Sequence, residues 1–106
     1  MSKVSLADEF AGITEHWSPE VVAELNGQQV KLAKLMGEFQ WHTHSNEDEL
    51  FLVVRGAIRV ELRDESVELG EGEFFVVPRG VEHRPVAECE AEVLLLEPSS
   101  TVRTGD

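Results

Sequence analysis

Between residues 19 and 96 the apolar side chains recur in short runs with a period of two, and glycine or proline separates one run from the next. A strand buries every second side chain on one face, so the pattern demands β structure, and the short runs suit an antiparallel fold. The clearest run is 58–63, where Ile58, Val60 and Leu62 alternate with Arg59, Glu61 and Arg63. One of its faces is set on a core and the other in water. Residues 21–25 and 28–35 flank Asn26-Gly27, a pair that tolerates positive φ at both central turn positions, which predicts a two-residue hairpin. Further strands are predicted at 66–69, 73–77 and 91–97, broken by Gly70, Gly72, Pro78, Gly80 and Pro85. About eight strands at this spacing fit a closed or nearly closed sandwich or barrel, since closure leaves few exposed edges.

Ahead of the β region, Ser5 to Asp8 has the spacing of a capping box, and Leu6, Phe10, Ile13 and Trp17 recur at helical intervals. A short amphipathic helix is predicted there, weakened by Gly12 and ended by Pro19. The 106 residues suffice for one core. They are read as a helical segment over 1–18, a β-barrel domain over 19–97, and a polar tail over 98–106 without periodicity.

Charge narrows the function classes. Twenty-one acids against nine Lys and Arg give a formal charge of −12, which repels a phosphate backbone or an anionic bilayer. Neither nucleic acid nor membrane is an expected partner. The longest apolar run, 93–96, is strand-sized, and the opening residues lack the apolar stretch of a secretion signal, so the cytoplasm is the expected location. Cys89 has no second cysteine to pair with, and Glu88 and Glu90 disfavour its thiolate; a structural role is expected.

His42 and His44 are one residue apart. On a strand they share a face, so both imidazoles can converge on a point about 2.0–2.2 Å from each donor nitrogen, which is metal-ligand spacing. Glu47, Asp48 and Glu49 follow after a polar turn and offer an oxygen donor, while His83, just beyond the turn at 78–80, can close the set from a facing strand. Glu49 would share its face with Phe51 and Val53, whereas Glu47 and Asp48 suit a solvated turn. Three imidazoles and a carboxylate suit Fe, Mn, Ni, Zn or Cu. By the same parity Gln40 faces the site and is a candidate pocket residue, with Phe39 and Trp41 pointing outward to be covered by the N-terminal segment or a second subunit. Arg79 and Arg84 flank His83 and could hold an anionic substrate or offset surface acids such as Glu82. His16 lies outside the cluster and receives no metal role.

The order Gly37, His42-Thr43-His44, Glu49, Gly56, followed by Gly72, Pro78-Arg79-Gly80, His83, resembles the two signature motifs of the cupin superfamily. The interval from Gly37 to His42 is one residue shorter than the common pattern, and Ala87 stands where the second motif has asparagine. The resemblance implies an all-β fold, a small double-stranded β-barrel of jelly-roll type with a short N-terminal helix. It also implies a divalent transition metal on His42, His44, Glu49 and His83, and a homodimer. Two functions follow from it. One is a metalloenzyme acting on a small polar molecule, either sugar-phosphate isomerase-like or dioxygenase-like; the other is a non-enzymatic module that binds metal or a small ligand. An enzyme of this kind needs a titratable group beyond the ligands, and the sequence pattern singles out none on the inner face.

Overall fold

A computed structural model describes residues 2–106. Helix α1 (Leu6–Ala11) is followed by β1 (Glu20–Leu25), β2 (Gln28–Glu38), β3 (Glu49–Arg55), β4 (Ile58–Leu62), β5 (Ser66–Leu69), β6 (Phe74–Val77) and β7 (His83–Pro98). Pairing is antiparallel throughout. The strands run in the order β1-β2-β7-β3-β6, with β4 joined to β7 and β5 to β4.

Strand β7 organises this arrangement. Its first residues pair with β4, its last with β3, and β2 lies along its other side. One strand therefore belongs to both walls of a rolled sheet, the jelly-roll barrel expected from the sequence. Pro85 does not break β7. Its carbonyl accepts from Phe39 N at 3.1 Å, and its missing N–H faces that same side, where β2 has already ended. Around residues 88–90 β7 bulges opposite Met36, because Leu35 pairs with Ala91 but Gly37 with Ala87. That bulge is the corner where β7 changes partners, and it leaves Cys89 exposed. The thiol is thus outside the core, contrary to the structural role read from the sequence.

The alternation read from the sequence sets the core. Phe51 and Val53 of β3, Ile58 and Val60 of β4, and Ala91, Val93 and Leu95 of β7 point inward and pack with Ala33, Leu35, Leu69 and Val77. A second cluster of Phe10, Ile13 and Leu32 fastens the N-terminal segment to the outside of the sheet. Burying Phe10 alone is worth roughly 1.5–3 kcal/mol, more than a six-residue helix can supply by itself. Ser5 caps that helix by accepting from Asp8 N at 3.3 Å. The helix stops at Ala11, earlier than the periodicity through Trp17 suggests, because Gly12 ends it and Ile13 and Trp17 are then placed by loop geometry; Trp17 sits at φ 58°. The hairpin forms as expected, with Asn26 at φ 49° and Gly27 at φ 79°. Among the described residues seven strands appear where about eight were anticipated. The segment carrying His42 and His44 contributes a single bridge, His42 to His83, in place of a strand.

Gly56 separates two demands on one residue type. It holds φ +89°, and a Cβ there would lie 3.2 Å from Ala91 Cα and Glu90 O in the β7 corner. Gly72 holds φ +81° with nothing within 4 Å of a Cβ. Gly72→Ala should cost about 1–2 kcal/mol, the left-handed penalty alone. Gly56→Ala should cost clearly more, because backbone must also move; urea denaturation of both variants measures the difference.

Candidate metal centre

Two backbone hydrogen bonds position the first pair of imidazoles. His42 N donates to His83 O and His83 N to His42 O, each at 3.0 Å, so the residue that opens β7 is locked against the segment leaving β2. His44 follows two residues on, its carbonyl accepting from Gly80 N at 2.8 Å. Glu49 arrives from the start of β3, where it pairs with Val77. One donor atom from each of His42, His44, Glu49 and His83 lies within 4.8 Å of all the others, and all four residues are buried. Donors held about 2.0–2.2 Å from a shared ion stand at most about 4.4 Å apart, so closing on a cation needs shifts of only a few tenths of an ångström.

The ring nitrogens show why a cation fits. His42 Nδ1 lies 2.9 Å from Gln40 O, and His83 Nδ1 lies 2.9 Å from Val81 O. A carbonyl accepts only, so each Nδ1 carries a proton and each ring turns its Nε2 to the centre. There His83 Nε2 meets Glu49 Oε1 at 3.2 Å, and His44 Nε2 lies 3.5 Å from the same oxygen. Ring nitrogens this close to a carboxylate are held there by a shared proton or by a metal. Both ring nitrogens of His44 are buried without a hydrogen-bond partner. Burial lowers the pKa of His42, favouring its neutral, ligating form. The nearby Glu49 carboxylate, 3.5 Å away, raises that of His44, against the opposing effect of burial. Burial would raise Glu49, but its close neighbours His44, His83 and Glu97 prevail and hold its carboxyl below the usual range.

The two rival carboxylates are elsewhere. Asp48 is exposed and accepts from Arg79 N at 2.8 Å; Glu47 accepts from Ser100 Oγ at 2.9 Å. Gln40 does not face the site either. It is exposed, and its amide reaches Thr104 O at 3.4 Å. The strand parity fails because Gly37, at φ +85°, begins an irregular stretch: Phe39 bonds Pro85 and His42 bonds His83, three residues against two. The extra residue reverses the faces, and Phe39 lines the pocket. Phe39 stacks on Trp17 at 4.9 Å, and Trp41 lies beneath Arg63 at 3.8 Å, so both aromatics are covered within the chain. Arg79 is held by Asp48, and Arg84 by Glu38 and Glu61. Neither arginine lines the pocket.

That pocket is a cavity of about 50 Å³ with apolar walls of Leu35, Phe39, Phe51 and Leu95, and His42 and Glu49 at its inner end. It contains the titratable group that the sequence pattern did not single out. Glu97 is 2% exposed, Lys31 Nζ donates to its Oε1 at 2.7 Å, and its Oε2 has no donor. Burial, then the bond to Glu49 and that group's charge, push it up to about 8, with Lys31 opposing. The signal was present: Glu97 continues the inward alternation of Ala91, Val93 and Leu95.

In metal-free protein Glu97 should therefore make stability pH-dependent. Its folded pKa is raised, so its contribution is fully present below the ordinary value of 4.5 and is lost as pH rises through about 8. Glu97→Gln keeps an acceptor for Lys31 and removes the titration. Chemical denaturation of chelated samples should show the wild type losing stability relative to this variant across that window, and parallel curves would refute the burial of a protonated Glu97.

Comparison with known proteins agrees with the fold and the cluster. Residues 28–97 match the Cupin domain family. A cupin-2 domain containing protein from Shewanella frigidimarina NCIMB 400 is 43% identical, with a TM-score of 0.88 over 90% of this chain and 93% of that one. NMB1881 from Neisseria meningitidis is 37% identical, with a TM-score of 0.85 over 92% and 100%. The uncharacterized protein YdbB of Bacillus subtilis (strain 168) is 36% identical over 64 residues, 59% of this chain and 57% of its own length. Sequence match, rolled sheet and the clustered histidines and glutamate agree: the chain belongs to the cupin family.

Proposed function

We propose that His42, His44, Glu49 and His83 bind a divalent transition metal and that the chain uses it, as a metalloenzyme, on a small polar molecule admitted through the adjoining pocket. The observation carrying this reading is the convergence of one donor atom from each of four buried residues within 4.8 Å, with the Nδ1 bonds to Gln40 O and Val81 O turning the Nε2 atoms of His42 and His83 inward. Protein groups of this type commonly leave positions open on Fe, Mn, Ni, Zn or Cu. When bound, the metal supplies Lewis-acid polarisation of a substrate carbonyl or, if redox-active, the electron transfer of an oxidative cleavage.

The remaining roles belong to the chain. Phe39, Phe51 and Leu95 keep bulk water from the inner end of the pocket, which strengthens every charge interaction there. Glu97 holds a proton on a carboxyl beside Glu49, where a substrate oxygen or carbon can exchange it. Phe74 and Val76, 62% and 40% exposed on edge strand β6, offer the apolar surface through which two copies would pair as a homodimer.

His44→Ala should remove most of the metal from protein purified without added metal, while His16→Ala, at a residue paired with Glu90 on the surface, should leave it unchanged. Elemental analysis reads both, and equal retention defeats the ligand assignment. Substrate-dependent oxygen uptake or turnover in a sugar-phosphate isomerisation panel is expected of the loaded wild type. Tight metal with neither activity leaves the binding module instead.

A further inference from the structure

The segment 98–106 reads from the sequence as a featureless tail, yet it is built into the site. Asp106 N donates to Thr43 O at 3.0 Å, Ser45 N donates to Asp106 Oδ1 at 2.9 Å, and Thr101 is buried. Gly105 sits at φ +87°, and a Cβ on it would lie 2.7 Å from Thr43 O and 2.9 Å from His42 Cβ. Only glycine allows so close an approach to the segment that carries His42 and His44. The tail is thereby clamped, and it delivers Arg103 to the wall of the pocket.

Arg103 differs from most of the chain's other arginines. Arg59, Arg63, Arg79 and Arg84 each pair with a carboxylate, and Lys31, the pocket's other cation, is largely buried and donates to Glu97 Oε1 at 2.7 Å. No carboxylate pairs with Arg103 among the described residues. Its guanidinium donates to Trp17 O at 3.1 Å through Nη1 and lies 5.7 Å from the Phe39 ring, which leaves donors unspent. In a chain of net charge −12 an anion approaches only where a local cation outweighs the general repulsion. Inward of Arg103 the walls are apolar, and the cavity of about 50 Å³ holds roughly three to five water-sized groups.

We propose that the pocket takes a small organic monocarboxylate, its carboxylate held by Arg103 at the mouth and its short apolar body lying between Phe39 and Leu95 toward His42 and Glu49. This deepens the metalloenzyme reading by naming the substrate class, but the Arg103 contact does not itself depend on a metal.

The probes are butanoate and its neutral isostere butanamide, titrated by ligand-observed NMR into zinc-reconstituted and chelated protein, with zinc content and thermal midpoint recorded for every sample. Butanoate should bind saturably and butanamide at least tenfold more weakly. Arg103→Gln, at an exposed position, should keep zinc and the thermal midpoint yet weaken butanoate by about tenfold, the scale of one charge-assisted contact, with Arg103→Lys recovering part of the loss. Equal binding of butanoate by wild type and Arg103→Gln, equal binding of acid and amide, or no butanoate binding at all overturns the proposal. A wild type that holds none of Fe, Mn, Ni, Zn or Cu sinks the metalloenzyme reading separately, and the Arg103 dependence in chelated protein then still decides this one.

Discussion

The two 3.0 Å hydrogen bonds between the backbones of His42 and His83 join the chain's two motifs at one end of the barrel, and the rest of the site is arranged around them. They bring the ring centroids of His42 and His83 to 4.3 Å. Gly80 then ties the turn before β7 to His44, and Val77 ties β6 to Glu49, so the four donors arrive from three stretches of chain fixed to one another through main-chain bonds. Backbone ladders are stiff in a way that surface side chains are not. A site framed by them is preorganised before any ligand enters, which lowers the cost of gathering like-minded donors at short range.

Such gathering is electrostatically awkward in a buried place. Two carboxyls, Glu49 and Glu97, lie beside three imidazoles with little solvent to stabilise any net charge. The chain resolves this by dividing states: Glu49 is held ionised by His44 and His83, while burial and that same ionised neighbour keep Glu97 protonated. Lys31, itself largely buried, adds a compensating cation on the far side. Removing one partner would leave another charge uncompensated, so the inner end of the pocket behaves as one electrostatic unit. Outside the barrel the acidic surface is handled more loosely, with Arg59, Arg63, Arg79 and Arg84 shared among neighbouring carboxylates and exposed to screening.

Where local pattern and tertiary position agree, the sequence was readable. The alternation of Ile58, Val60 and Leu62 and the Asn26-Gly27 turn stand in the structure as expected, because period-two burial and positive φ are set by a residue and its immediate neighbours. Gln40 illustrates the opposite case. Its face depended on continuing strand parity through Gly37, and one extra residue across the bridge to β7 inverted it. Pro85 looked like a breaker because its missing donor is a local fact, whereas the absence of anything regular opposite it is not.

The sequence by itself determined the antiparallel strands, the hairpin, the inward faces of β3, β4 and β7, and the residue types able to ligate a metal. Each follows from side-chain spacing and backbone preference within a few residues. The tertiary structure decided which donors meet, that Phe39 replaces Gln40 in the pocket wall, that Glu97 is a buried acid, and that Gly105 and Arg103 of the tail belong to the site. Those outcomes depend on contacts between residues 34 to 86 positions apart in the chain, such as Glu49 with His83 and Trp17 with Arg103, and no local periodicity encodes a distance of that kind.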